Sequence, residues 1–172
     1  MRRLEPPAPK QSPLSVAGGV VGAIGGMALA NYAGASLWIP GIATGLLALL
    51  FVKTRLAPPR FRGAIAVTGG HIAWFIGAGL LTGAWETVGP DIAALTIACA
   101  IAWARPSMGG VALLGVVQLA SLVYNVVLLA GASFGSADHR ALAVHVLWRL
   151  IALGLIASEV AAIRREAAAP PT

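Results

Sequence analysis

The sequence predicts an all-α integral membrane bundle of about six transmembrane helices, and three observations carry that prediction. Hydrophobic residues make up 58% of the 172 positions and charged residues 10%, against roughly 25% charged in soluble domains. The apolar residues gather into runs close to the ~20 residues that a helix needs to cross a hydrocarbon core of ~30 Å, and the mean hydropathy of the chain is +0.84. The basic residues fall in short clusters between those runs, which is how topology is encoded in membrane proteins.

The first run covers about 14–35 and carries small residues at every fourth position, Gly18, Gly22, Gly26, Ala30 and Gly34. That spacing lets helix backbones approach closely, so the segment is expected to pack against another helix. Its triplet Ala28-Leu29-Ala30 resembles a signal-peptidase site. Glu5, the prolines at 6, 7, 9 and 13, and the regular small-residue spacing speak against a disposable leader. The second run, about 37–52, holds Gly41-xxx-Gly45 and ends at Lys53; the third, about 64–84, holds Gly69-xxx-Ala73-xxx-Gly77 and Gly79-xxx-Gly83. The fourth, about 90–104, ends before Arg105. The second and fourth runs are short for a straight span. Pro40 and Pro90 suit the first turn of a helix, and Lys53 and Arg105 can snorkel to the interface.

The fifth run, about 110–132, places Gln118, Ser121 and Asn125 within an arc of about 60° at 100° per residue. In the sixth, about 141–163, His145, Arg149 and Glu159 fall within about 80° by the same arithmetic. The flanks, 1–13 and 166–172, are rich in Pro, Ala and charge and are expected to be mobile tails around a single domain, 14–165.

Orientation follows from the basic residues. With six spans and both termini cytoplasmic, Arg2, Arg3, Lys10, Lys53, Arg55, Arg60, Arg62, Arg105, Arg164 and Arg165 all lie inside, and Arg140 alone lies outside. Glu86, Asp91 and Asp138 then fall on the outer side, with Trp38 and Trp85 at the outer boundary and Trp103 at the inner one. The cell membrane is the expected location. Ten arginines to two lysines, with abundant Ala and Gly, point to a GC-rich bacterial coding bias.

Arg149 is the residue that asks for a function, because a cation within an apolar run needs a partner. On a rise of ~1.5 Å per residue, Arg149 and Asn125 lie about 10 to 12 Å below the outer boundary, His71 and Gln118 about 20 Å, and His145 and Asn31 about 6 Å. With Ser121 these residues describe a polar track that descends from an outer mouth bearing Glu86 and Asp91. No acid falls at the depth of Arg149 in this scheme. A guanidinium fork suits carboxylate or phosphate geometry, so the expected function is binding or transport of a small, anionic solute. The alternative is an accessory or scaffolding membrane subunit, in which the polar residues bond helices to one another at about 0.6 to 2 kcal/mol each and Arg149 rises to pair with Glu86.

Other chemistries are disfavoured by residue type and spacing. The pI is near 10.8, but clusters between apolar runs do not make a nucleic-acid-binding face. Cys99 is the only cysteine, so neither a disulfide framework nor a zinc cluster is expected. His71 and His145 differ by about 14 Å in depth, which opposes a haem held between them. No motif supports Ser121 as a nucleophile, and no enzyme activity, metal or cofactor is expected. Glu159 is expected to pair with Arg164 or Arg165. The basic loop 53–62 can dock anionic headgroups as well as set topology. The expected partners are the lipid bilayer and a second copy of the chain or another membrane protein.

Overall fold

A computed structural model of the chain describes Tyr32, residues 35–58 and residues 60–168. Every regular element among the described residues is an α-helix: α1 (Ala35–Thr54), α2 (Arg62–Thr82), α3 (Trp85–Ala104), α4 (Met108–Gly131) and α5 (Ala137–Ala168). These helices correspond to the second through sixth apolar runs. The small-residue stripe of the first run (Gly18, Gly22, Gly26, Ala30 and Gly34), Asn31, and residues 1–13 and 169–172 lie outside the described residues.

The helices alternate in direction and each packs on the next. Contact between α2 and α5 closes a ring of α2, α3, α4 and α5, while α1 lies against α2 and also touches α5. Four helices, α2 to α5, are long and apolar enough to cross a membrane, and α1 is a shorter apolar helix. The exterior is largely apolar, and the buried interior mixes apolar side chains with polar ones. Leu81 is 82% exposed, whereas Arg149 is 0% exposed and Thr68, His71, Gln118 and Asn125 are buried. Lipid tails give apolar side chains no reason to hide and give polar ones every reason, so this is the distribution that a hydrocarbon solvent selects.

Local chemistry explains the reversals. Gly83 ends α2 at φ 71°, with its N–H on the Gly79 carbonyl, a left-handed cap that glycine adopts without penalty. The ring of Trp85 then covers Gly79, where a Cβ would come within 2.7 Å of it. The Ser107 hydroxyl caps α4 by accepting from the Gly110 N–H, and Ser136 does the same for α5 from the His139 N–H. In the α1–α2 loop, Arg55 and Phe61 take left-handed φ values of 57° and 62°. Burial of Ala57 and Phe61 holds that loop down.

Two expectations about helix starts are corrected. Pro40 and Pro90 are each the sixth residue of their helix rather than a first-turn residue. A proline there removes a single backbone bond, in α3 the one to the Glu86 carbonyl, and the helix continues through it. As a result α3 begins at Trp85 and Asp91 sits inside it. At the other end of the chain, α5 runs on through Glu166 to Ala168. The glycine contacts also differ from the expected spacing. A Cβ on Gly70 would overlap Thr44 and stand 2.9 Å from the Pro40 carbonyl oxygen, while Gly45 and Gly77 face open space. The α1–α2 crossing is therefore centred on Gly70, with Gly69 against Leu47.

The core has two layers. Near the ends joined by the α1–α2 loop it is apolar, built from Phe51, Phe61, Ile65, Ala98, Ala102, Val111, Leu114 and Ile156. Toward the opposite ends the apolar Val67, Val144, Trp148 and Ala152 share it with a layer of buried polar side chains.

Candidate functional site

The polar layer is assembled from one face of each helix in the ring. From α5, the Arg149 guanidinium donates through Nη2 to Oδ2 of Asp91 in α3 at 3.0 Å and through Nη1 to Oε1 of Gln118 in α4 at 3.1 Å. Gln118 passes the chain of bonds on, its Nε2 donating to Oγ1 of Thr68 in α2 at 3.0 Å. The second oxygen of Asp91 accepts from the Ser121 hydroxyl at 2.9 Å. Side chains one helical turn apart share a face, which is why Gln118 and Ser121 meet the same ion pair. Arg149 Nε is buried with no hydrogen-bond partner among the described residues.

A second pair lies on α2 and α5. Nε2 of His71 and Nδ1 of His145 are 2.7 Å apart, a bond in which one ring supplies the proton and the other the lone pair. The Phe75 ring stacks on both, with centroids at 4.7 and 4.8 Å. His145 precedes Arg149 by one turn, so α5 carries both pairs on one face.

Two crevices reach this layer, one on each side of α4. The first, of about 610 Å³, lies between α3 and α4 and is lined by Glu86, Thr87, Pro90, Asp91, Ala94, Ala120, Ser121 and Tyr124. The second, of about 540 Å³, lies between α4 and α5 and reaches His145 past Asp138 and Gly131. Asp91 keeps 23% of its side chain exposed, whereas its partner Arg149 is sealed. The crevice therefore offers carboxylates and hydroxyls, with the guanidinium behind them. Deeper passage is closed by the apolar layer around Ile65, Leu95 and Leu114, all buried.

These contacts rearrange the track read from the sequence. Arg149, Gln118 and Ser121 do converge, but through Asp91, which sequence reasoning put at the outer mouth. Counting depth from Pro90 hid an acid that stands six residues, about 9 Å, into the helix. Glu86 lines the crevice and makes no ion pair among the described residues; the expected Arg149–Glu86 pair is replaced by Arg149–Asp91. Asn125 bonds back to the Ser121 carbonyl at 2.8 Å and not to Arg149. His71 and His145 are partners rather than occupants of separate layers. Measured from the observed helix ends, Thr82 and Ala137, they lie about 16 and 12 Å deep. Glu159 has no ion-pair partner among the described residues; Glu166 instead pairs with Arg60.

Thr68 was missed because a lone threonine in an apolar run has no distinguishing pattern. Tyr32 was missed too: its hydroxyl stands 2.8 Å from Nδ1 of His139 at the crevice end of the bundle. No group of three or more potential metal ligands occurs among the described residues. Comparison with protein-family models, curated proteins and solved structures returned no match.

Proposed function

We propose that this chain is a multi-pass protein of the cell membrane that binds a small polar solute in the α3–α4 crevice as a step in moving it. The observation that carries the reading is Asp91, whose carboxylate is ion-paired on its buried side and exposed to a crevice on the other. An ionisable residue within a membrane helix is costly to keep, and one that also faces a cavity marks a solute path more often than a structural pin. Glu86 and Asp91 outweigh the single sealed cation Arg149, so the crevice suits an amine or a hydrogen-bond donor better than the anion that Arg149 alone implied.

Charge distribution supports the rest of the topology. Lys53, Arg55, Arg60, Arg62, Arg105, Arg164 and Arg165 gather with Glu159 and Glu166 at the apolar end of the bundle, and Glu86, Asp91 and Asp138 with Arg140 at the crevice end, a bias that favours a cytoplasmic position for the basic end. With the run at 14–35 as a further span, the count is six and both termini are cytoplasmic. Because the crevice opens between two helices, a second copy of the chain is the natural wall to close it.

The second reading, an accessory subunit without transport, is favoured by the bonds of Arg149 to Asp91 and Gln118, which tie α5 to α3 and α4. A thermal-shift screen of purified protein against amines, amino acids, small anions and metal ions separates the two. Solute binding predicts a ligand that raises the melting temperature of the wild type and of Tyr124→Phe, but not of Glu86→Gln. Stabilisation by no compound in the screen, with Glu86→Gln melting like the wild type, overturns the solute reading.

A further inference from the structure

We propose that the end of the bundle formed by the α1–α2 loop, the start of α2 and the end of α5 is a binding surface for the phosphate headgroups of anionic phospholipids. Topology requires only that basic residues be on one side of a membrane; it does not require that they be held in place. Here they are held. Ala57 and Phe61 are buried in the apolar layer and anchor the loop, and Arg55 and Phe61 adopt left-handed backbone at φ 57° and 62°. Strained backbone of this kind persists only where the surroundings enforce it.

Three features at this end suit a phosphodiester. Arg60 reaches across to Glu166 of α5, which joins the loop to a helix end carrying exposed Arg164 and Arg165. Arg62, the first residue of α2, has its Nε buried without a hydrogen-bond partner among the described residues. The start of α2 has no side-chain cap, and Gly63 there is exposed, so the positive end of the helix dipole lies at the segment that carries Arg60 and Arg62. Glu159 and Glu166 are the acids at this end among the described residues, against seven basic side chains with Lys53, Arg55 and Arg105 included. Arginine forks match phosphate oxygens in geometry as well as charge.

The inference rests on the membrane reading and is independent of the solute crevice. The test is reconstitution of the full-length chain into phosphatidylcholine nanodiscs containing a minor fraction of phosphatidylglycerol, followed by native mass spectrometry of the lipids it retains. Failure to enter nanodiscs at all would sink the membrane reading. Entry with no enrichment of phosphatidylglycerol over phosphatidylcholine overturns this proposal alone. The expected result is selective retention of phosphatidylglycerol, reduced about fivefold for each charge removed in Arg60→Gln and Arg62→Gln, and unchanged in Arg140→Gln at the other end. Glu166→Gln breaks the same ion pair as Arg60→Gln but frees a guanidinium, so it must increase retention. If it lowers retention as Arg60→Gln does, the pair is structural and the proposal fails. Displacement of the retained lipid by inorganic phosphate at equal concentration would also overturn it, in favour of a site for free phosphate.

Discussion

Replacing Arg149 by methionine keeps most of the side-chain volume and removes the guanidinium that joins α5 to α3 and α4. Asp91 then loses its 3.0 Å partner and Gln118 its donor at 3.1 Å. Breaking one side of a buried ion pair costs about 3 to 5 kcal/mol. Asp91 remains 23% exposed and still accepts from Ser121, and a carboxylate can be neutralised by a proton, so Arg149→Met belongs at the lower end, about 3 kcal/mol. The converse change is worse. Asp91→Asn strands a guanidinium that is 0% exposed and cannot lose its charge, which sets the cost near the upper end, about 5 kcal/mol. The double variant removes both charges and should recover to within about 2 kcal/mol of the wild type, because an uncharged pair of similar shape leaves no stranded ion. Reversible unfolding in mixed micelles, read by far-UV circular dichroism, measures all three. Equal costs for the two single variants, or a double variant as unstable as their sum, would refute an ion pair sealed on its arginine side.

Further expectations follow from the packing and the topology. Gly70→Ala drives a methyl group onto Thr44 and the Pro40 carbonyl and should cost about 1 to 3 kcal/mol in the same unfolding assay, whereas Gly77→Ala, facing open space, should change stability by less than about 0.5 kcal/mol. His71→Phe leaves the Nδ1 group of His145 without its partner and should cost about 1 to 3 kcal/mol; the change in melting temperature with and without a compensating His145→Phe checks it. Membrane-impermeant thiol labelling of intact cells should modify a cysteine at position 86 and spare one at position 165, with the buried native Cys99 giving little background. Labelling of both positions from the same side would contradict the alternating helices. Pro90→Ala restores the donor for the Glu86 carbonyl and should stabilise α3 by about 3 kcal/mol or less, measured by micelle unfolding.

Part of the site was legible because intramembrane polar residues are few. Arg149, Gln118, Ser121, His71 and His145 stand out from apolar neighbours by composition alone, and the arcs computed for α4 and α5 put Gln118 beside Ser121 and His145 beside Arg149, as observed. Asp91 was misread for a local reason: a proline five residues into a helix looks like a helix start, and moving that start from 85 to 90 lifts an intramembrane acid to the surface. Gly70 escaped for a geometric one. It lies one residue, 100°, away from the glycine face counted from Gly69, and only the direction of the α1–α2 crossing says which face is used.

Composition and hydropathy by themselves determined the helical class, the apolar runs and the segregation of basic from acidic ends, because these properties answer to the solvent and every residue meets it independently. The partnerships were decided by tertiary structure alone. Asp91 and Arg149 are 58 residues apart and His71 and His145 are 74 apart. Which polar side chain satisfies which depends on how helix ends, tilts and crossings combine, and a low-dielectric interior admits only the arrangement in which the charges meet.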